Sequence, residues 1–376
     1  MIYHQNTIRR CYYCLIAVTL LCIFVFVATA QSDKREKTDM KHKVYLSIAG
    51  ENKISIYNMN PETGKLQLQE DVVLDGGPGP LAVDPDTKFL YAGVRSNREI
   101  SSFRIDQQTG GLSLTGTISL EADPCYVATD NTGNFLLSAY YGAGAIAVHP
   151  IDQAGALGGP AIEWITTAPK AHCVLTDRSN KYAFLPHVDE SNAIFQFLFD
   201  ENTGALTPNT VPKVMGGEGQ GPRHFCFHPT KDFVYTSDEP GSSATAYKLD
   251  SSNGTLSPLQ TISTLPEDYD ESNTCSQVHI TPNGKFLYVS NRGHDSIAGF
   301  SIDDATGRLT ALGQQPTEPT PRVFNIDPTG NFLFAGGQGS GKLATYRITQ
   351  TGTLEPLETY TVGANPMWVL FIMLNN

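Results

Sequence analysis

Six residues of this chain have types suited to handling anions and protons: Arg95, His172, Arg223, Glu239, Arg292 and Arg322. Guanidinium forks pair with phosphate or carboxylate oxygens in a bidentate way that lysine does not copy. A lone carboxylate among arginines stays ionised, which suits a base that activates water or accepts a proton. The six are far apart in the chain, so a repeated architecture must bring them together.

That repeat is visible. The turn x-Gly-x-Leu occurs at Leu66, Leu112, Leu157, Leu206, Leu256, Leu309 and Leu354, at intervals of 45 to 53 residues. Self-similarity at this period means one supersecondary unit stacked many times. Each full copy reads as four short strands. Residues 275–310 show them best: an apolar run ending in Thr281-Pro282-Asn283-Gly284, a second run at 285–290, a third at 297–302, and a last opening at Leu309. β-branched and aromatic runs between Gly, Pro, Asn and Asp clusters are strand and turn signals. An aromatic opens each second strand: Phe89, Phe135, Tyr182, Phe233, Phe286 and Phe332.

Those six aromatics mark six units; the seventh is split. Residues 43–68 start at a second strand, and 366–373 (PMWVLFIM) supply the missing inner strand from the other end of the chain. The expectation is an all-β, seven-bladed β-propeller with four antiparallel strands per blade. One blade is shared between the N- and C-terminal strands, which closes the ring and leaves only short edges.

The ring makes positions comparable. Ten residues before each opening aromatic, at the start of the inner strand, stand Gly79, Cys125, His172, Arg223, Ser276 and Arg322. Met367 is the C-terminal equivalent, by its Asn365-Pro366-Met367 match to Gly221-Pro222-Arg223. Six residues after the aromatic, at the end of the second strand, stand Arg95, Tyr141, Val188, Glu239, Arg292 and Gln338. Antiparallel pairing puts both sets on one face of the disc, around the central channel. Glu239 is therefore the leading candidate for the base. His172 would orient water or protonate the leaving alkoxide. Arg223, Arg322, Arg292 and Arg95 would hold an anionic substrate. His279, mid-strand, is a further candidate for substrate contact, with a packed core histidine as its alternative. His228 stands where the other turns have Asp-Pro, a structural position.

Composition narrows the field. A formal charge of −12 leaves no net basic field for nucleic acid. No Trp-Asp dipeptide of the interaction-repeat type occurs, and no acidic quartet suggests calcium. Cys125, Cys173, Cys226 and Cys275 fall one per blade on inner strands and read as small buried thiols, with disulfides as the alternative. No zinc-ligand spacing appears, so no metal or cofactor is expected.

The N-terminus reads as a targeting segment. Arg9 and Arg10 precede an apolar run over 11–27, then Ala28-Thr29-Ala30. This is the order of a secretory signal, 1–30, cleaved after Ala30 to give a secreted or periplasmic protein. An uncleaved membrane anchor is the alternative. Residues 31–42 read as a flexible tail, and 43–374 as the propeller.

The stretches 219–229 (GQGPRHFCFHP), 278–288 (VHITPNGKFLY), 315–330 (QPTEPTPRVFNIDPTG) and 363–369 (GANPMWV) resemble the seven-bladed propeller lactonases. The similarity is to the bacterial propeller type of 6-phosphogluconolactonase, with carboxy-muconate lactonising enzymes as relatives. It extends over about 43–374. The resemblance implies hydrolysis of a sugar lactone ester without a metal, at His172, Arg223, Glu239 and an arginine such as Arg292 or Arg322. The muconate enzymes imply equivalent residues, so a lactonising cycloisomerase is one alternative, and a non-catalytic secreted binding propeller is another. The expected partner is a small anionic lactone, bound by a monomer, with no membrane contact beyond the leader. An exported chain departs from the family, whose phosphorylated substrate is cytosolic.

Overall fold

The computed structural model describes residues 41–374. The expected signal and most of the expected tail lie outside the described residues. By its contacts, His42–Met373 forms one compact unit; the other unit contributes only Lys41 and Leu374 to the description, as strand ends.

Seven sheets of four strands make up the described chain. We number the blades 1 to 7 from the split one. In blade 5 the strands Pro222–Phe227, Phe233–Asp238, Ser243–Asp250 and Thr255–Ser263 follow one another from the axis outwards, each antiparallel to the last. In blade 1 the inner strand is Pro366–Leu374, beside Lys41–Ile48, Lys53–Met59 and Leu66–Val73. The blade shared between the termini is thus as expected, although strand begins at Lys41, inside the stretch read as tail.

The two repeated sequence signals prove to be halves of one joint. The turn glycine of each blade rests on the opening aromatic of the blade before it. Gly307 has φ +70, and a Cβ there would lie 2.5 Å from the Phe233 ring. The same contact joins Gly155 to Phe89, Gly204 to Phe135, Gly254 to Tyr182, Gly352 to Phe286 and Gly64 to Phe332. A side chain would fail here twice, by left-handed backbone and by collision. Tyrosines reinforce the joint: Tyr45, Tyr235 and Tyr288 donate their hydroxyls to the carbonyls of Gly110, Gly307 and Gly352 at 2.7, 3.0 and 2.8 Å. Blade 1 has no opening aromatic. The stem of Lys43 lies under Gly110 instead, and its ammonium donates to Asn58 and Gln69 at 2.6 and 2.5 Å.

Two expectations need correction. Leu157 does not open a strand; it makes one isolated bridge to Ile151, and the outer strand of blade 3 is Glu163–Thr166. Gly158, Gly159 and Pro160 follow it, and proline cannot donate to a ladder. The inner strands of blades 3 and 4 are also short, Tyr126–Thr129 and Leu175–Thr176. Cys125 and His172 therefore precede their ladders, each held by one backbone bond, to Ala139 (2.9 Å) and Pro186 (3.0 Å).

Closure rests on Pro366–Leu374, whose Val369, Phe371 and Ile372 are buried. Removing the chain from Pro366 onwards should strip blade 1 of this packing and bare the edge of Lys41–Ile48. Size-exclusion chromatography should show aggregates or oligomers, and melting should lose its cooperative step. A monomer with an unchanged melting curve would contradict the closure argument.

Candidate active site

The channel-lining residues are aimed by irregular pairing. In blade 5, Pro222 pairs with Asp238 and His224 with Ser237, which leaves Arg223 as an extra residue. In blade 7, Pro321 pairs with Gly337 and Val323 with Gly336, which leaves Arg322. Blade 6 leaves Ser276 and Gln277 opposite Ser290, and blade 2 leaves Gly79 and Pro80 opposite Gly93. Such bulges re-aim side chains and recur next to active sites. The residues before the prolines are left-handed, Gly221 at φ +64 and Thr320 at φ +55. A β-branched residue in this region stores roughly 1–3 kcal/mol of strain. Asp295 holds the Thr320 N–H at 2.8 Å, and the Thr320 carbonyl accepts from Gln338 at 2.9 Å.

Arg95, His172, Arg223 and Arg322 line one narrow central cavity, with Cys125, His224, Gln277, Met367 and Trp368 among their neighbours. Glu239 and Arg292 stand beside it. Arg223 Nε lies 2.9 Å from Glu239 Oε2, and Arg292 Nη2 lies 2.7 Å from Oε1. Arg292 also donates to the Cys275 carbonyl at 2.9 Å. Arg95 pairs with Asp123 at 2.6 Å. Among the described residues no carboxylate lies within ion-pairing distance of Arg322. Four guanidiniums therefore face two carboxylates, which leaves two unbalanced positive charges in a strongly acidic chain. Several buried polar atoms have no partner: Arg223 Nη1, Arg95 Nε, His172 Nδ1 and His224 Nε2. Leaving such groups unpaired is costly unless a ligand or water meets them.

Burial, then repulsion from Arg292, pushes Arg223 down to about 9; burial, again with Arg292, pushes Arg322 down to about 10. Both remain cations at neutral pH. Burial works to raise Glu239, but Arg223 and then Arg292 outweigh it and hold the carboxyl below its usual range. Burial, then Arg223, holds His172 and His224 well below their ordinary value, so both are neutral. The four inner-strand cysteines are free thiols, and burial pushes Cys125 up to about 11. His228 accepts the Thr230 and Lys231 N–H groups at 3.2 and 3.1 Å, doing the work of the turn aspartate.

Six of the seven expected site residues thus come together. Four line the cavity, and Glu239 and Arg292 back it through Arg223. His279 does not join them. It lies further along Thr274–Ile280, edge-on to Phe324 at 4.8 Å, and burial lowers it to about 4. One set of residues was missed. The position after each of the seven equivalent inner-strand residues holds Pro80, Tyr126, Cys173, His224, Gln277, Val323 and Trp368. All but Tyr126 and Cys173 reach the cavity, and Tyr126 packs edge-on to His224 and Trp368 at 5.2 and 5.4 Å. The same alignment, shifted by one residue, collects them, but strand alternation assigns them to the opposite face. Among the described residues no cluster of three or more His, Cys, Asp or Glu is placed to hold a metal ion.

The sequence matches the family model for the lactonase, 7-bladed beta-propeller family over residues 40–371. It is 36% identical over 337 residues to the 6-phosphogluconolactonase of Pectobacterium atrosepticum, covering 89% of this chain and all of that one. The enzyme of the same name from Yersinia enterocolitica is 34% identical over 332 residues, 88% of this chain and 98% of that one. Among solved structures, a candidate 6-phosphogluconolactonase of Bacteroides fragilis superposes with TM-score 0.82 at 28% identity, covering 88% of this chain and 98% of that one. The periplasmic gluconolactonase of Pseudomonas aeruginosa also superposes with TM-score 0.82 and shares the fold at 23% identity, covering 89% and 99%.

Asp238, the neighbour of Glu239, is fully buried and accepts hydroxyls from Thr236, Ser243 and Thr245 at 2.8, 2.8 and 2.7 Å. Burial outweighs these bonds and pushes it up to about 6. Its folded pKa lies above the unfolded one, so the neutral acid is the form that folding favours. That contribution is complete below about pH 4 and is lost as pH rises through about 6, a loss of roughly 3 kcal/mol. Asp238→Asn should therefore be more stable than the parent at pH 8, with the gap closing towards pH 4. Melting curves of both proteins across that range check this; a gap independent of pH contradicts it.

Proposed function

This chain belongs to the family of seven-bladed β-propeller lactonases, and from that premise we propose that it hydrolyses an anionic aldonolactone of the 6-phosphogluconolactone type in the arginine-lined cavity. The observation that carries this reading is the pair Arg223 and Arg322, both raised on bulges and facing one cavity with charge to spare. Arg322, which no carboxylate engages, anchors the anionic group. Arg223, with its free Nη1, polarises the lactone carbonyl and steadies the oxyanion that forms there.

His172 takes the proton. It lines the cavity, which Glu239 does not, and Glu239 is held by two arginines, its Oε1 accepting from Arg292 and its Oε2 in ion-pair contact with Arg223. Water attacks the carbonyl carbon while its proton passes to His172. The oxyanion then collapses and breaks the bond to the ring oxygen. The imidazolium returns its proton to that oxygen and the hydroxy acid leaves. Substrate charge assists, because it offsets Arg223 and Arg322, which after burial keep His172 a weak base. Glu239 keeps Arg223 and Arg292 paired and in place, a positioning role instead of the base expected from its residue type. Every step is assigned to side chains.

Kinetics on 6-phosphogluconolactone should separate the roles. Arg322→Lys should raise KM with little change in kcat. Arg223→Lys should lower kcat by about 10²–10³-fold. His172→Ala should cost about 10²–10⁴-fold in kcat, and a chelator should cost nothing. If neither arginine variant changes either constant, or if chelation stops turnover, the assignment is wrong.

We also place the reaction outside the cytoplasm, because Arg9-Arg10, the apolar run and Ala28-Thr29-Ala30 have the order of an export signal. Protein recovered from its own cells should begin at Gln31; a full-length product in the membrane fraction would favour an anchor.

A further inference from the structure

The cavity has two levels of different chemistry. The first ring carries Arg223 and Arg322. The ring after it carries no charge and is largely apolar or aromatic, with His224 and Gln277 as its polar members that reach the cavity. The side chain of Gln277 is already engaged, accepting the Phe324 N–H at 2.8 Å. His224 is not. It is 5% exposed, and its Nε2 is buried without a partner. Adjacent strand residues normally point to opposite faces. Arg223 and His224 both reach the cavity because the bulge falls between Pro222 and His224.

The surroundings fix the imidazole without satisfying it. Its ring lies 5.0 Å from His172, 5.2 Å from Tyr126 and 6.1 Å from Trp368, between centroids. These are ring contacts and leave Nε2 open. A phenylalanine would supply the same packing without the unpaired atom. An unpaired buried nitrogen is disfavoured unless something meets it, and the cavity is the side from which a ligand comes. Because the ring is neutral, it suits an uncharged group and not a phosphate.

We infer that His224 is a substrate-binding residue that hydrogen-bonds an uncharged oxygen of the ligand, a hydroxyl or ring oxygen, beside Trp368, which Tyr126 backs edge-on, while the arginines take the charge. This deepens the lactonase reading and rests on its placement of the substrate. His224 then selects for the sugar part of the ligand and the first ring for its anionic part.

The chain supplies its own reporter. It has two tryptophans, Trp164 in the outer strand of blade 3 and Trp368 at the cavity. In the full propeller carrying Trp164→Phe, emission comes from Trp368 alone. The probes are 6-phosphogluconate, gluconate and inorganic phosphate, with hydrolysis of 6-phosphogluconolactone measured on the same protein. Both sugar acids should shift the emission saturably. Phosphate should leave the emission alone yet compete with 6-phosphogluconate.

His224→Ala should weaken both sugar acids about tenfold, the size of one hydrogen bond, and leave phosphate competition unchanged. His224→Gln, which keeps a polar group and guards against a folding defect, should recover part of the loss. The inference falls if both variants bind sugar acids like the parent, or if they lose sugar acids and phosphate in equal proportion. If the parent hydrolyses the lactone while the variants are indifferent, this inference fails alone. If no lactone is hydrolysed but sugar-acid binding still depends on His224, the lactonase reading fails alone. If no lactone is hydrolysed and no sugar acid binds, both fail; if the lactone is hydrolysed but no sugar acid binds, the inference about His224 fails alone.

Discussion

Arg223 can be buried because Glu239 lies beside it. A guanidinium taken out of water without a partner is severely penalised, and one among other guanidiniums more so. Glu239 spans Arg223 and Arg292 at 2.9 and 2.7 Å and holds two like charges close. Only the Nε side of Arg223 is engaged this way, so its Nη1 stays free at the cavity. The acidic chain thus keeps a small positive centre, and low-dielectric walls strengthen its field. Removing Glu239 would leave two buried cations repelling each other.

The arginines come together only because the ring closes. Arg223 belongs to blade 5, Arg292 to blade 6 and Arg322 to blade 7; Arg223 and Arg322 stand on inner strands and line the cavity, and Arg292 ends a second strand behind them. Blade spacing is set at the other end of the strands, where turn glycines rest on the preceding blade's aromatics. Because that joint recurs, equivalent residues arrive at equivalent places. Bulges then break the strict alternation at the mouth and let consecutive residues face the same cavity. The repeat provides the frame, and its local irregularities provide the site.

This division explains what could be read in advance. The spacing of Leu66 to Leu354, the opening aromatics and the terminal half-blade were enough for the fold and for six residues of the site, because they depend on period alone. His279 was placed by residue type, without a register to say how far down the strand it lies. The base was assigned to Glu239 because it is a lone carboxylate; its engagement of two arginines is a matter of rotamers that spacing does not encode. Leu157 matched the repeat, but Gly158-Gly159-Pro160 overrode it locally. His224 and Trp368 were passed over because alternation assigns neighbours to opposite faces, and nothing in a single sequence marks a bulge.

In the function we propose, the central cavity receives an anion on Arg223 and Arg322 and a sugar skeleton against the ring beyond them. A crystal structure of the protein with 6-phosphogluconate, the product of the proposed reaction, tests it most directly. The ligand should lie in the central cavity, with its phosphate within hydrogen-bonding distance of Arg322 and its carboxylate beside Arg223 and His172. A ligand bound on the outer rim, or in the channel with its phosphate away from both arginines, would contradict it.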